Sequence, residues 1–532
     1  MSSVKKKEKN IVKSGIKLSI LTLLSRVMGL IREATKGFFL GTGALADAFG
    51  VAFLIPNLLR RLFAENSISV AFIPTFRSYL EDGKTKDNRS ETQEFLNATF
   101  TLISFLTTIV VVLGIILTPF IVMIFNVTDF NETVILTRIM FPYLLVISIA
   151  ALFQGILNTM NIFSPSGFTP VLFNLCVIVG TIVLSKYTGN AARAMSIGVI
   201  TGGVIQALFQ LPFVLKTGWK VGFTSLGKTF RNPGTKRVIA LIIPTIIGMA
   251  SYQINDMVST ALAGNVGEGV VSSLQYSLRL QELILGIFAV SIGTVILPNL
   301  AGLARQEQWE EYNSMLLNAV KIIAMICIPI TFYSLITGTE LISVVFKRGK
   351  FDAASVASTF NVFIFHISGL FFIAVNRIVS PAFYAQGNTK LPTLAGIISM
   401  VSDIILSIVL SIYMKGPGIA LALTLASVIN TILLFVFLRY LKCADAKKIA
   451  LSTILYCAKM IVFSVIAGVP VYFAHKIFVE KFASLGNMLG NGLAIIASAF
   501  IFAVIGIFLL IVTKDKALVA VKNKITKPGA EK

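Results

Sequence analysis

Apolar residues in this chain come in long runs separated by short polar stretches, and the lengths of the runs set the expected fold. A helix needs about 20 apolar residues to cross the hydrocarbon core of a bilayer. By that measure, with proline, glycine and charge clusters as boundaries, fourteen segments emerge: 11–36, 43–79, 93–125, 133–160, 168–187, 194–217, 236–263, 270–303, 313–337, 354–385, 391–414, 417–440, 449–476 and 486–512. The pattern predicts an all-α polytopic membrane protein. Segment two is longer than one crossing and holds Pro56 and Pro74, so it is expected to bend, because proline removes an intrahelical hydrogen bond. Segment eight is similarly long, with Pro298 near its end.

The pattern echoes itself. LFAENSISVAFIPTF in the first half resembles GIFAVSIGTVILPNL in the second, aligning Pro74 with Pro298, and Pro170 aligns with Pro392 at nearly the same separation. Six segments lie between corresponding positions, so the halves have the same orientation, a parallel repeat about an axis along the membrane normal. The expected organisation is a six-helix lobe at 1–217, a second six-helix lobe with its preceding linker at 218–441, and two accessory helices with a basic tail at 442–532. The linker between segments six and seven is long enough for a short interfacial amphipathic piece. Gly198 and Gly202 have the spacing that lets helices approach closely.

Composition agrees with this picture. Hydrophobic residues make up 56% of the 532 positions and charged ones 13%, against about 25% charged in soluble domains. The formal charge of +22 is spread over short connections and tails rather than one dense face, which argues for membrane topology and against a nucleic-acid partner. Basic residues concentrate in the N-terminal ten residues and in alternate connections, including Arg305, 439–448 and the tail beyond Val512. Fewer fall on the opposite side, where Lys36, Lys186, Arg193, Lys347, Arg348, Lys350, Lys415, Lys476 and Lys481 are assigned. Both termini are therefore expected in the cytoplasm. The basic N-terminal segment lacks the short uncharged core of a cleavable signal and is expected to be retained. Cys176, Cys327, Cys443 and Cys457 lack metal-ligand spacing and are expected to pack in the core.

Charge matters most where it interrupts the apolar runs. Arg26, Arg32, Glu33, Asp47, Arg60, Arg61 and Glu65 fall inside segments one and two, and Arg279 and Glu282 inside segment eight. Ionisable groups at membrane depth are costly and normally face a bundle interior or a wet cavity. Arginine suits phosphate, because its planar guanidinium makes bidentate, charge-assisted hydrogen bonds. The set therefore points to a cationic cavity for an anionic substrate. Internal pairing, such as Arg32 with Asp47 or Arg279 with Glu282, is the competing use. Asn255 and Asp256, Ser399 and Asp403, and Thr424 form a second polar set; their oxygens suit a small hard cation or a buried network joining helices. His366 and His475 have no metal partner visible in the sequence, and each is expected to pack or make a simple hydrogen bond. Arg138, Arg377 and Lys459 are expected between helices or at the interface.

The motifs SRVMGLIRE at 25–33, ADAFGVAF at 46–53, PNLLRRLFAE at 56–65, AFIP at 71–74 and LRLQELILGIFAVSIGTVILPNL at 278–300 resemble the MurJ (MviN) family of bacterial lipid II flippases, in the multidrug/oligosaccharidyl-lipid/polysaccharide exporter superfamily. The resemblance implies two six-helix lobes facing a cavity, with segments thirteen and fourteen forming a groove for a polyprenyl tail. It implies alternating access that carries undecaprenyl-pyrophosphoryl disaccharide-pentapeptide, lipid II, from the inner to the outer leaflet of the cytoplasmic membrane for peptidoglycan synthesis. Lipid II, membrane lipids and the peptidoglycan-synthesis machinery are the implied partners. Carried onto matching positions, Arg26, Arg32, Arg61 and Arg279 become substrate-binding residues, and Glu33, Asp47, Glu65 and Glu282 become gating or charge-pairing residues. No catalytic residue and no cofactor is implied, apart from a sodium coupling ion in some members, for which Asp256, Asp403 and Thr424 are the candidates here. Some members carry Asp immediately before the segment-eight arginine, where this chain has Leu278, and Asp where it has Glu33.

Two other readings use the same features. A flippase for another polyprenyl-linked polysaccharide precursor would share the architecture and differ in headgroup selectivity. An enzyme processing polyprenyl phosphates would need acidic metal ligands or an acid/base pair at a loop-facing cleft, whereas the acidic residues here accompany arginines within helices.

Overall fold

The structure, a computed structural model, describes residues 2–62, 68–86, 89–442, 444–515 and 517–518; among these, the side chains of 2–19, 69, 83–86, 247–252 and 287–295 are left undescribed. The described residues form helices joined by short connections, with no strand among them. Contacts divide the chain into two compact units, Met1–Ser272 and Ser273–Lys532.

In the first unit the helices are α1 (Ser2–Leu40), α2 (Ala44–Arg60), α3 (Ile73–Lys86), α4 (Arg89–Met123), α5 (Phe130–Met140), α6 (Tyr143–Thr159), α7 (Ser164–Thr188), α8 (Ala191–Lys216), α9 (Leu226–Arg231) and α10 (Pro233–Val266). Helix α11 (Val270–Arg305) begins in this unit and continues into the second, where α12 (Trp309–Phe346), α13 (Ala353–Ser368), α14 (Leu370–Ala385), α15 (Lys390–Met414), α16 (Gly416–Phe437), α17 (Ala446–Phe482) and α18 (Gly486–Val512) follow. Each of the fourteen apolar segments coincides with one of these helices or with a consecutive pair. Nine runs among the described residues are long and apolar enough to cross a membrane, with α17 and α18 counted together as Ala446–Val512. Helices α1, α2, α10 and α11 are outside that set, and they carry the intramembrane charges singled out above.

Segment two is not one uniform α-helix among the described residues. Helix α2 runs through Pro56 and ends at Arg60, and a π-helical turn at Ile68–Phe72 leads into α3. Segments four and ten also divide, at Phe141–Pro142 and at Gly369. Helix α10, which the repeat assigns to the second lobe, packs in the first unit on α2, α3, α4 and α9.

Aromatic rings hold the first unit together. Phe72 stacks on Phe76 and Phe95 with centroids 5.3 and 5.9 Å apart, Tyr79 stacks on Phe95 at 4.6 Å, and Trp219 meets Phe76 edge-on at 6.0 Å. The Arg89 guanidinium lies over the Trp219 ring and donates to the Gly218 carbonyl (2.9 Å), while Asn97 and Thr101 of α4 accept from the Gly222 and Thr224 amides. The linker is thus strapped along α4, with Phe223, Leu226 and Phe230 left exposed, as an interfacial segment requires. The glycine reading also holds. A Cβ on Gly198 would come within 3.0 Å of the Val177 Cα, and one on Gly202 within 2.8 Å of the Phe173 ring, so α7 and α8 meet at a separation that a side chain would prevent.

In the second unit α12 is the central strut. Tyr312 donates to the Ala382 carbonyl of α14 (2.6 Å), and Tyr333 donates to the Ile495 carbonyl of α18 (2.6 Å). The outer faces of α15, α17 and α18 carry exposed Ile405, Ile412, Ile454, Phe473, Ile496, Phe500 and Phe508. Contiguous apolar surface of this extent is incompatible with water and belongs against lipid.

Candidate functional site: charges within the helices

Helix α1 brings cations into an aromatic setting. Arg32 Nη2 lies 2.6 Å from Glu33 Oε1, both side chains are about 15% exposed, and the guanidinium lies over the rings of Phe53 and Phe173 at 5.6 and 5.9 Å. Lys36, one turn later, is 2% exposed, with Nζ 5.8 Å from the Phe49 ring centre. Its place at the end of an apolar run assigns Lys36 to an outside connection, but the structure buries it. The missed signal is its spacing, four residues after Arg32 and three after Glu33, which puts it on their face of the helix. Arg26 is half-buried and, among the described residues, has no acidic side chain within ion-pair distance.

Asp47 does not pair with Arg32. It is 4% exposed, and its two oxygens accept the backbone N–H groups of Gly269 (2.6 Å) and Ser272 (2.8 Å) at the start of α11. Those amides have no partner within their own helix, so Asp47 acts as a remote N-cap. Glu268 Oε1 in turn accepts the Ala44 N–H (2.9 Å) at the start of α2. The two helix starts cap each other across more than two hundred residues of sequence. Gly269 makes the turn possible: its φ is +80°, and a Cβ there would lie 2.2 Å from the Thr42 carbonyl oxygen.

Arg61 Nη1 is 3.4 Å from Asp256 Oδ2, with side chains 41% and 51% exposed. An ion pair this open adds little stability, so its interest lies in position. In the second unit Arg279 Nη1 is 3.1 Å from Glu282 Oε2, three residues along α11 and 32% and 56% exposed. Glu65 lies outside the described residues.

The second polar set divides between the units. Asp256 belongs to the first, beside Arg61. In the second unit Asp403 of α15 is 2% exposed, Ser399 donates to the Ala426 carbonyl (2.8 Å), and Thr424 of α16 donates to the Phe365 carbonyl (2.7 Å). Among the described residues no group of three His, Cys, Asp or Glu side chains could hold a metal ion. Nearby neutral groups form a seam: Thr431 donates to Asn376 Oδ1 (2.8 Å), Asn376 Nδ2 donates to the Ser427 carbonyl (3.1 Å), and Ser277 Oγ is 2.7 Å from His366 Nδ1. His366 is a packed, hydrogen-bonded residue, as expected. His475 has partners that its sequence neighbourhood does not reveal, with Nε2 3.2 Å from Glu340 Oε2 and Nδ1 3.1 Å from Ser498 Oγ. Arg138 bridges helices by donating to the Ile115 carbonyl (3.2 Å), and Lys459 lies 2.6 Å from Asp515.

Long apolar helices, a cationic α1 and capped helix starts within the bundle define a polytopic membrane transporter. The fold is shared with an inward-facing MATE family transporter of the MOP superfamily, at a TM-score of 0.63 and 16% identity over 81% of this chain and 99% of that one. It is shared more fully with a lipid II flippase MurJ in an inward closed conformation, at a TM-score of 0.76 and 25% identity over 93% and 99%. Residues 38–491 match the family described as lipid II flippase MurJ. Among curated relatives, a probable lipid II flippase MurJ of Treponema pallidum (strain Nichols) is 44% identical over 96% of this chain and 97% of that protein. The lipid II flippase MurJ of Burkholderia cenocepacia is 32% identical over 81% and 84%. The chain belongs to the lipid II flippase MurJ family.

Proposed function

We propose that this protein moves lipid II from the cytoplasmic to the outer leaflet of the bacterial inner membrane by alternating access, with both termini in the cytoplasm. The observation that carries the reading is Arg26, a half-buried cation without an acidic partner among the described residues, on the same helix as Arg32 and the buried Lys36. A charge left so at membrane depth calls for an anion, and a pyrophosphate supplies one that guanidinium forks can grip in two places.

Arg26, Arg32, Arg61 and Arg279 are the proposed pyrophosphate contacts. Glu33 and Glu282 hold Arg32 and Arg279 when substrate is absent. An exposed helical ion pair such as Arg279–Glu282 is worth about 0.3–0.5 kcal/mol, while a hydrogen bond to a charged group contributes about 1.5–3 kcal/mol, so the substrate phosphate displaces that carboxylate. Asp47 and Glu65 serve as gating residues. The lobes are 1–217 and 218–441, and the accessory helices of 442–532 offer their exposed apolar faces to the polyprenyl tail. No bond is made or broken. Asp403 and Thr424 are the proposed sodium ligands of the second unit, offering a carboxylate and a hydroxyl from neighbouring helices; Asp256, beside Arg61, fits the charge-pairing set better. Peptidoglycan-synthesis proteins are the partners this role calls for.

Leaflet-resolved translocation of purified lipid II in proteoliposomes tests the proposal, comparing the intact chain with Arg279→Ala at equal insertion. Transport by the intact chain that is lost in the variant supports it. Failure of the folded intact chain under an imposed potential and ion gradients would overturn the lipid II assignment and redirect the search to another polyprenyl-linked glycan. Sodium-dependent thermal stabilisation that survives Asp403→Asn would remove the ion site.

A further inference from the structure

A cavity of about 460 Å³ in the second unit lies among the C-terminal ends of α11 and α14, the start of α12 and the 438–442 turn after α16, and includes Arg305, Glu307, Trp309, Asn388, Tyr440 and Lys442 in its lining. Its walls are set by turn chemistry. Helix α11 closes with the Gln308 amide donating to the Leu303 carbonyl around Glu307 at φ +54°. Helix α14 closes in the same way, with the Asn388 amide donating to the Phe383 carbonyl around Gly387 at φ +71°. Both are helix C-caps of the type that places one residue in the left-handed region. Gln386 fixes the third wall, accepting the Lys442 N–H (3.0 Å) and donating to the Lys442 carbonyl (3.3 Å).

The donors in this cavity outnumber the acceptors. Among the described residues, neither Arg305 nor Lys442 has an acidic side chain within ion-pair distance. Asn388 uses its oxygen to accept the Leu391 N–H (3.2 Å), which leaves its amide hydrogens available. Tyr440 accepts from Arg439 (2.7 Å) and keeps its own hydroxyl hydrogen to donate. Two cations against the Glu307 carboxylate leave one net positive charge, which matches a phosphodiester monoanion better than a phosphate dianion. The exposed side chains leading from the cavity are apolar: Ile432, Val436 and Tyr440 recur every four residues, 57%, 42% and 58% exposed, a strip along α16 suited to acyl chains. Tyr440 and Trp309 are the amphipathic rings that favour the level of lipid headgroups.

We propose that this cavity binds the phosphodiester headgroup of an anionic phospholipid, with Arg305 and Lys442 on the phosphate and the acyl chains along the α16 strip. Basic pockets between transmembrane helices take such headgroups elsewhere. The proposal is independent of the flippase reading, because it uses none of the residues assigned to that substrate.

The chain has two tryptophans, so Trp219→Phe leaves Trp309 as the sole indole reporter in the cavity. The full-length W219F protein would be reconstituted in phosphatidylcholine vesicles containing either brominated phosphatidylglycerol or brominated phosphatidylcholine. Trp309 quenching is expected at a mole fraction of the brominated anionic lipid at least about fivefold lower, the scale of one basic side chain near a membrane surface. The curves should converge when Arg305→Gln and Lys442→Gln are combined, while Arg305→Lys keeps most of the preference. If the double variant fails to insert, each single Gln variant should lose part of the preference. Coincident curves in W219F, or a preference unchanged by the Gln substitutions, would overturn the site. Displacement of the brominated anionic lipid by millimolar glycerol 3-phosphate would overturn the lipid assignment in favour of a soluble phosphate.

Discussion

Helix α1 and the α13–α14–α16 seam both place polar side chains inside an apolar bundle, with opposite chemistry. On α1, Arg26, Arg32 and Lys36 are partly or fully buried cations, the last two set over Phe49, Phe53 and Phe173. In the seam, His366, Asn376 and Thr431 close on one another, on Ser277 or on backbone carbonyls. A neutral network satisfied within the protein has nothing left over for a ligand, and it fixes helix positions. A helix that carries cations with too few carboxylates keeps an electrostatic demand that an anion can meet. The difference assigns substrate contact to the first region and positioning to the second.

The sharpest way to break that assignment is at Arg26. Arg26→Ala should lower lipid II translocation about tenfold or more at equal insertion, the equivalent of losing one hydrogen bond to a charged group, with little change in melting temperature; Arg26→Lys should recover part of the rate. A large stability loss with transport per folded molecule intact would instead put α1 in the same class as the seam. Next in size is Asp47→Ala, which uncaps α11 and should destabilise the protein by about 1–2 kcal/mol in a detergent melt. Combined with Glu268→Gln, the loss should be less than additive, since each cap holds the turn that presents the other. In the seam, Asn376→Leu should cost about 0.6–1.7 kcal/mol, the range for interhelical polar contacts in membranes, and leave lipid II affinity unchanged.

The smallest expected effect is at Asp515, just past α18. Burial pushes its carboxyl pKa up, but the Lys459 ammonium, the Tyr456 hydroxyl and the Ala517 amide together hold it below the ordinary value. Its contribution is therefore complete above the unfolded carboxylate pKa of about 3.9 and is lost as the pH falls through the depressed folded value. The melting-temperature difference between the parent and Asp515→Asn should be constant from pH 7 to 5 and shrink below about pH 4. A difference that grows on acidification would reverse the sign of the coupling.

Much of the architecture can be read from the chain because membrane crossings announce themselves as apolar runs, and the positions of charges within those runs are equally visible. What those charges touch is harder to read. Arg61 and Asp256 are 195 residues apart, and Asp47 reaches backbone amides 222 and 225 residues away; no periodicity links such positions, because the helix packing brings them together. The change from α2 to π-helical turns is also absent from the apolar pattern, where Pro56 is the more obvious candidate, yet α2 runs on through Pro56 to Arg60. Lys36 was legible by spacing and was obscured only by its place at the end of a run. Glu340 beside His475 was not legible at all, since the two come from different helices more than a hundred residues apart.

The reciprocal caps of α2 and α11 also bear on biosynthesis. The start of α2 leaves the ribosome long before Glu268 exists, and Asp47 waits 222 residues for the Gly269 amide it will hold. At bacterial elongation rates of about 5–20 residues per second, that interval is roughly ten to forty seconds. Throughout it, a carboxylate later sealed from solvent remains in the inserting helix without its native partners. Nascent α2 must therefore stay near water, another helix or an insertion factor until the second half of the chain arrives.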